Sequence, residues 1–107
     1  MMGGRIALTD GMIHQQDIRR ALDLPREIPA DGLRAALDTA RSAPTLSAAK
    51  LVAGLKLTAV DIDWAVGEGP EVQGTGEALL MAMAGRRGIT PELTGPGVAT
   101  LHERITS

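Results

Sequence analysis

Asp10 and His14 stand four residues apart in the opening stretch TDGMIHQQDIRRAL, Thr9 to Leu22. On a helix that spacing puts both on one face, one above the other, as helical metal ligands often are. A carboxylate and an imidazole are ordinary zinc ligands. A catalytic zinc, however, takes about three protein ligands and keeps one position open for water or substrate. The plain alternative is a surface pair in which the acid hydrogen-bonds the imidazole. The only other histidine, His102, lies near the far end and would complete a three-ligand site only by coming close in space.

Other residues are weighed in the same way. Asp61 and Asp63 have the spacing of a carboxylate pair for acid–base work or of a hard-cation site. The favoured reading is that they keep the polar face of a hairpin solvated and guard an edge from pairing. Arg86 and Arg87 complement the negative end of a helix, and a guanidinium there can also make bidentate bonds to a carboxylate. Trp64, the sole aromatic residue, reads as core or domain-interface packing. The glycines of GEGP make a tight turn and not a phosphate loop.

At 107 residues the chain fits one compact domain with a modest core. Hydrophobic residues make up 44%, yet Phe and Tyr are absent, so the core must be built from Leu, Ile, Val, Ala and Met. Without stacking platforms, and with a formal charge of −2, nothing favours nucleic acid. The absence of cysteine excludes disulfides, cysteine nucleophiles and thiolate metal sites, so any thiol chemistry needs a thiol cosubstrate. The apolar run ALLMAMAG is far short of a membrane span, and MMGGRIALTDG has no region of signal-peptide length. The expected location is the cytoplasm, with no membrane partner.

The elements that must position these residues follow from periodicity and punctuation. Arg5 to Leu22 reads as a helix ending before Pro25, and DLPREIP as a loop. A second helix begins at Ala30 or Asp31, with Leu33, Ala36, Leu37 and Ala40 on one stripe, and Pro44 stops it. TLSAAKLVAG reads as a short helix capped by Thr45 or Ser47. In GLKLTAVDIDWAVG the alternation moves by one residue, from Leu55 and Leu57 to Val60, Ile62, Trp64 and Val66. Within a strand that implies a bulge or two covered faces. GEGP then turns the chain into EVQG, read as the partner strand of a hairpin. TGEALLMAMAG is a short helix with Glu77 in its first turn and Gly85 as the C′ residue, and at least one of Met81 and Met83 should be buried. ITPELTG is extended or turning, and Pro96 and Gly97 open a last helix. The class is α+β: two N-terminal helices, a small antiparallel hairpin or sheet, and two C-terminal helices.

IHQQDIRRALDLPREIP, LKLTAVDIDWAVGEGPEVQGTGEALLMAMAGR and ELTGPGVATL together resemble the carboxy-terminal half of mycothiol-dependent maleylpyruvate isomerase family proteins. The likeness runs roughly from Asp10 to Ile105. It rests on D-x-D-W, the following G-x-G-P turn and the helix ending AGR, which come in the family's order. The resemblance implies an N-terminal, DinB-like metal-binding bundle and a small C-terminal domain like sterol-carrier folds. The bundle supplies one histidine from an early helix and an acid–histidine pair from its last, which Asp10 and His14 match. The early histidine has no counterpart here, as though the chain started too late. Residues 1–24 would then be the remnant of the last bundle helix, and 25–107 the C-terminal domain. A late arginine holds the thiol cosubstrate in the family, and Arg86 is the position matched to it.

What the family implies is a divalent metal, zinc, acting as a Lewis acid on the thiol of mycothiol. In the isolated chain no cofactor is expected. The expected function is the C-terminal portion of a maleylpyruvate isomerase-like, DinB-type thiol isomerase or transferase, not catalytic alone. A separate metal-binding domain would restore the site. The alternative is a non-catalytic small-ligand-binding or dimerising module. Its first helix would expose an apolar face including Ile6 and Ile13, and burying each such side chain is worth about 1.5–3 kcal/mol. A homodimer through that helix is expected.

Overall fold

The computed structural model describes residues 2–23, 28–42 and 48–107, with residues 2–8 and 10 described as helix backbone only. The order is α1 (Met2–Ala21), α2 (Ala30–Ser42), α3 (Ala48–Val52), β1 (Lys56–Ala59), β2 (Ala65–Val66), β3 (Glu71–Gly74), α4 (Gly76–Met83), a 3₁₀ helix (Arg87–Glu92) and α5 (Val98–Thr106). The class is α+β, as the sequence implies. The expected short helix of TLSAAKLVAG is present as α3, whereas ITPELTG falls largely in the 3₁₀ helix. Pro25, Pro44, Thr45 and Ser47, read as stops and caps, lie outside the described residues.

The sheet departs from the expected hairpin. Its order is β2-β1-β3: β1 runs antiparallel to β2, with Leu57 opposite Val66, and parallel to β3, with Leu57 opposite Val72. The one-residue phase change is therefore neither a bulge nor a doubly covered strand. It marks a reversal through residues 60–64, closed by the Ala59 N–H donating to the Trp64 carbonyl at 2.9 Å. GEGP does not join two paired strands, because β2 and β3 lie on opposite sides of β1. It carries the chain to the far side of β1, where EVQG pairs in parallel. Gly67 and Gly69 make that path possible, with φ of 85° and 130°. A Cβ on Gly69 would overlap the carbonyl oxygen of Gly54, so only glycine lets the turn lie this close to the strand entrance.

Helix α4 is the centre of the packing, and all eight of its residues are buried. Met81 and Met83 are both interior, because a helix covered on every side needs no apolar stripe. The expected α2 stripe faces α4, with Leu33, Ala36, Leu37 and Ala40 buried. A buried helix cannot leave its end groups to water, and here both ends are capped. The Thr75 hydroxyl accepts from the Ala78 N–H at 3.1 Å, and an Asp61 carboxylate oxygen accepts from the Gly76 N–H at 2.8 Å. At the other end Gly85, with φ 79°, donates to Ala82, and the Arg86 N–H donates to Met81, closing a Schellman turn.

Candidate functional site

Helix α1 presents two contrasting faces. Thr9, Ile13 and Gln16 are buried and Arg20 is half-buried, at spacings of four, three and four residues along one side. Gly11, His14, Gln15, Ile18, Ala21 and Leu22 are exposed on the other. Ile13, expected on an outward apolar face, is thus a core residue, only 4% exposed. Among the described residues of this helix and the turn after it, the large aliphatic side chains left in solvent are Ile18 at 58% and Leu22 at 64%. The Ile6 side chain lies outside the described residues.

At the inner end of α1, one guanidinium joins three elements. Arg20 donates through Nε to Glu77 Oε2 at 2.8 Å and through Nη2 to the second Glu77 oxygen. It also donates through Nη1 to Glu92 Oε2 at 2.6 Å and through Nη2 to Glu92 Oε1 at 3.1 Å. Glu77 first, and Glu92 second, hold the Arg20 guanidinium well above its ordinary pKa. With its amide turned so that both groups find partners, the buried Gln16 joins this network, its nitrogen toward Glu77 Oε2 at 3.3 Å and its oxygen toward Arg19 Nη1 at 3.2 Å. Beside the network a cavity of about 630 Å³ is walled by Ile28, Pro29 and Leu33 on one side and by Asp61, Thr75, Glu77 and Glu92 on the other.

Arg86, matched by resemblance to a thiol-holding arginine, forks onto Asp17 of α1. Its Nε donates to Oδ1 at 3.0 Å and its Nη2 to Oδ2 at 2.7 Å. The hydrogen bonds from Arg86 hold Asp17 below the ordinary carboxylate range, against a weaker desolvation effect, and Asp17 in turn raises Arg86. A carboxylate ligand would find the bidentate position on Arg86 already taken by the protein's own carboxylate.

His14 faces solvent, and among the described residues it forms no hydrogen bond. The backbone of Asp10 lies one turn before it in α1, while the Asp10 side chain lies outside the described residues. Among the described residues no group of three or more His, Asp or Glu could hold a metal ion. His102 is instead paired with Thr90, Nδ1 to Oγ1 at 2.8 Å. The described donors around His14 do not fit a divalent cation unaided.

No family model matches the chain, and no curated protein or solved structure does. The quoted motifs therefore stand on their geometry alone. Asp61 caps α4, and Asp63 is exposed, its carbonyl accepting from Arg34 Nε at 3.2 Å. Trp64 is buried, and its indole N–H donates to Asp38 Oδ1 of α2 at 2.9 Å. D-x-D-W is thus a clasp that fixes the β1–β2 reversal to α2 and α4, not an acid pair. Sequence reasoning missed Asp17, Gln16, Arg20 and Glu92, and read Glu77 only as a helix-dipole residue. The available signal was Glu77, an acid at the second position of a helix too apolar to have an exposed side.

Proposed function

We propose that this chain is the C-terminal portion of a mycothiol-dependent maleylpyruvate isomerase-like protein of the DinB type, presenting half of a metal site on α1 and not catalytic alone. The observation that carries the reading is the solvent-facing His14, on the outer face of a helix whose opposite face is buried against the rest of the chain. The Asp10–His14 spacing aligns the pair for one ion, and the remaining ligands would come from another domain or chain. When bound, such a metal would supply Lewis-acid activation of a thiol. In this reading the Asp17–Arg86 fork fixes the angle at which α1 holds His14. It would open only for a cosubstrate carboxylate that outcompetes Asp17.

The test uses the fact that the chain has two histidines. Zinc titration followed by the imidazole proton resonances should move His14, leave His102 in place, and show weak, millimolar-range affinity for two ligands. His14→Ala should abolish the response, and Asp10→Ala should weaken it. A tightly held, fully ligated zinc in the isolated chain, or no response at His14, would remove the proposal.

The exposure of Ile18 and Leu22 favours a second reading, a module that dimerises through the outer face of α1. Sedimentation equilibrium decides it: a monomer at millimolar concentration, or a dimer indifferent to Ile18→Glu, argues against this reading.

A further inference from the structure

A second cavity, of about 550 Å³, opens between the last turn of α2, α3 and the β1–β2 hairpin. Its floor is aliphatic, formed by the buried Val52, Leu55 and Leu57 and the half-buried Val66. Two opposite charges line the same cavity, Arg41 from the end of α2 and Glu68 from the turn after β2. Both are exposed, and among the described residues neither forms an ion pair with the other or with any other group. The wall that carries Glu68 is preformed, because the turn at Gly67 and Gly69 is pressed against the carbonyls of Leu55 and Gly54.

We propose that this cavity binds an aliphatic amino acid as its zwitterion, with the hydrocarbon over the Val52, Leu55 and Leu57 floor, the carboxylate on Arg41 and the ammonium on Glu68. The volume is within the range of about 300–1,000 Å³ usual for small-molecule sites. The charge pattern selects the class. A neutral apolar ligand would use neither charge, and a singly charged one would use only one of them. A zwitterion answers both, each through a charge-assisted hydrogen bond. The site shares no residue with α1 and needs no metal, so it is independent of the reading given above.

The experiment titrates the intact chain with leucine and with 5-aminopentanoate, following the methyl resonances of Val52, Leu55, Leu57 and Val66. Saturable shifts confined to those methyls are expected from at least one of the two, which also tells whether the ligand's charges lie together or apart. 3-Methylbutylamine and 4-methylpentanoate, each keeping one charge, should bind about tenfold or more weakly, the loss expected for one charged hydrogen bond. Arg41→Gln should lower the affinity for the zwitterion to that of the amine, and Glu68→Gln to that of the acid. Unchanged methyl resonances of Leu101 and Ile105 would show the variants folded. No saturable shift at about 50 mM, far above the millimolar range of weak ligands, would overturn the proposal. So would equal binding of the singly charged compounds.

Discussion

The body around α4 and the helix α1 are held by different forces. Helix α4 buries every residue, closes both ends with hydrogen bonds, and ends at Gly85 in the left-handed conformation that favours glycine. Among the described residues of α1, Ile13 is the one buried aliphatic side chain, beside the half-buried Met12. The rest of its described inner face is polar: Thr9, Gln16, Asp17 and Arg20. Packing of the first kind is fixed by volume and sterics, and fails steeply. Packing of the second kind depends on charge partners that water can replace, so its cost tracks burial. That contrast sets a body fixed by packing against a helix fixed mainly by polar contacts.

The largest expected effect lies in the body. Gly69→Ala adds a Cβ where φ is 130° and the Gly54 carbonyl fills the space. Backbone strain and the forced shift together should cost about 3 kcal/mol or more, read as a lower urea midpoint. If Gly69→Ala melts within about 0.5 kcal/mol of the parent, the size expected of a neutral surface change, the body is looser than its packing implies.

Next comes the joint between the two regions. Arg20→Met leaves Glu77, with a side chain 11% exposed, beside Met in place of its cation. Stranding a fully buried charge costs about 3–5 kcal/mol, and the residual exposure here brings that to about 2–3 kcal/mol. Glu77→Gln in the same chain should recover much of the loss, because a neutral amide is cheaper to leave unpaired. A double-mutant cycle without coupling would mean that the two regions are not joined by this pair.

A smaller effect is expected at the D-x-D-W clasp. Asp61→Ala leaves the Gly76 N–H without its carboxylate and should cost about 1 kcal/mol, the usual worth of an N-terminal cap. Hydrogen exchange should then speed at Gly76 and the first turn of α4 and leave α1 unchanged.

How much of this was legible depends on whether the interaction is local. The C-terminal end of α4 was readable because Gly85 acts within one turn of its own helix, and so was the α2 stripe; the Asp61 cap at the other end, 15 residues from Gly76, was not. The pairing of β3 was not: parallel register to β1 depends on a crossover through Gly67 and Gly69, and the same residues equally well describe a hairpin turn. On α1 the sequence holds Ile13 and Ile18, which lie about 140° apart on a helix and cannot both face inward. Nothing local says which one α2 covers. Arg20 and Glu77 stand 57 residues apart, so no spacing rule links them. Of the residues singled out by their chemistry, the structure gives Arg86 a partner that spacing did not foresee, since Asp17 is 69 residues away.

That pair sets the smallest effect and the finest test of the contrast. Asp17 titrates below its ordinary range because Arg86 donates to its charged form. A depressed folded pKa contributes stability that is fully present above the ordinary Asp pKa of about 3.9 and is lost as pH falls through the lowered value. With side chains 36% and 40% exposed, solvent screens the pair, and its worth should stay below about 1 kcal/mol. Asp17→Asn should therefore be slightly less stable than the parent at pH 6 and nearly equal to it near pH 2, by urea melts. The loss should also be local, with faster exchange at α1 amides and unchanged protection in α4. Equal acceleration in both helices would mean that α1 and the body open as one unit, and the division drawn between them would fall.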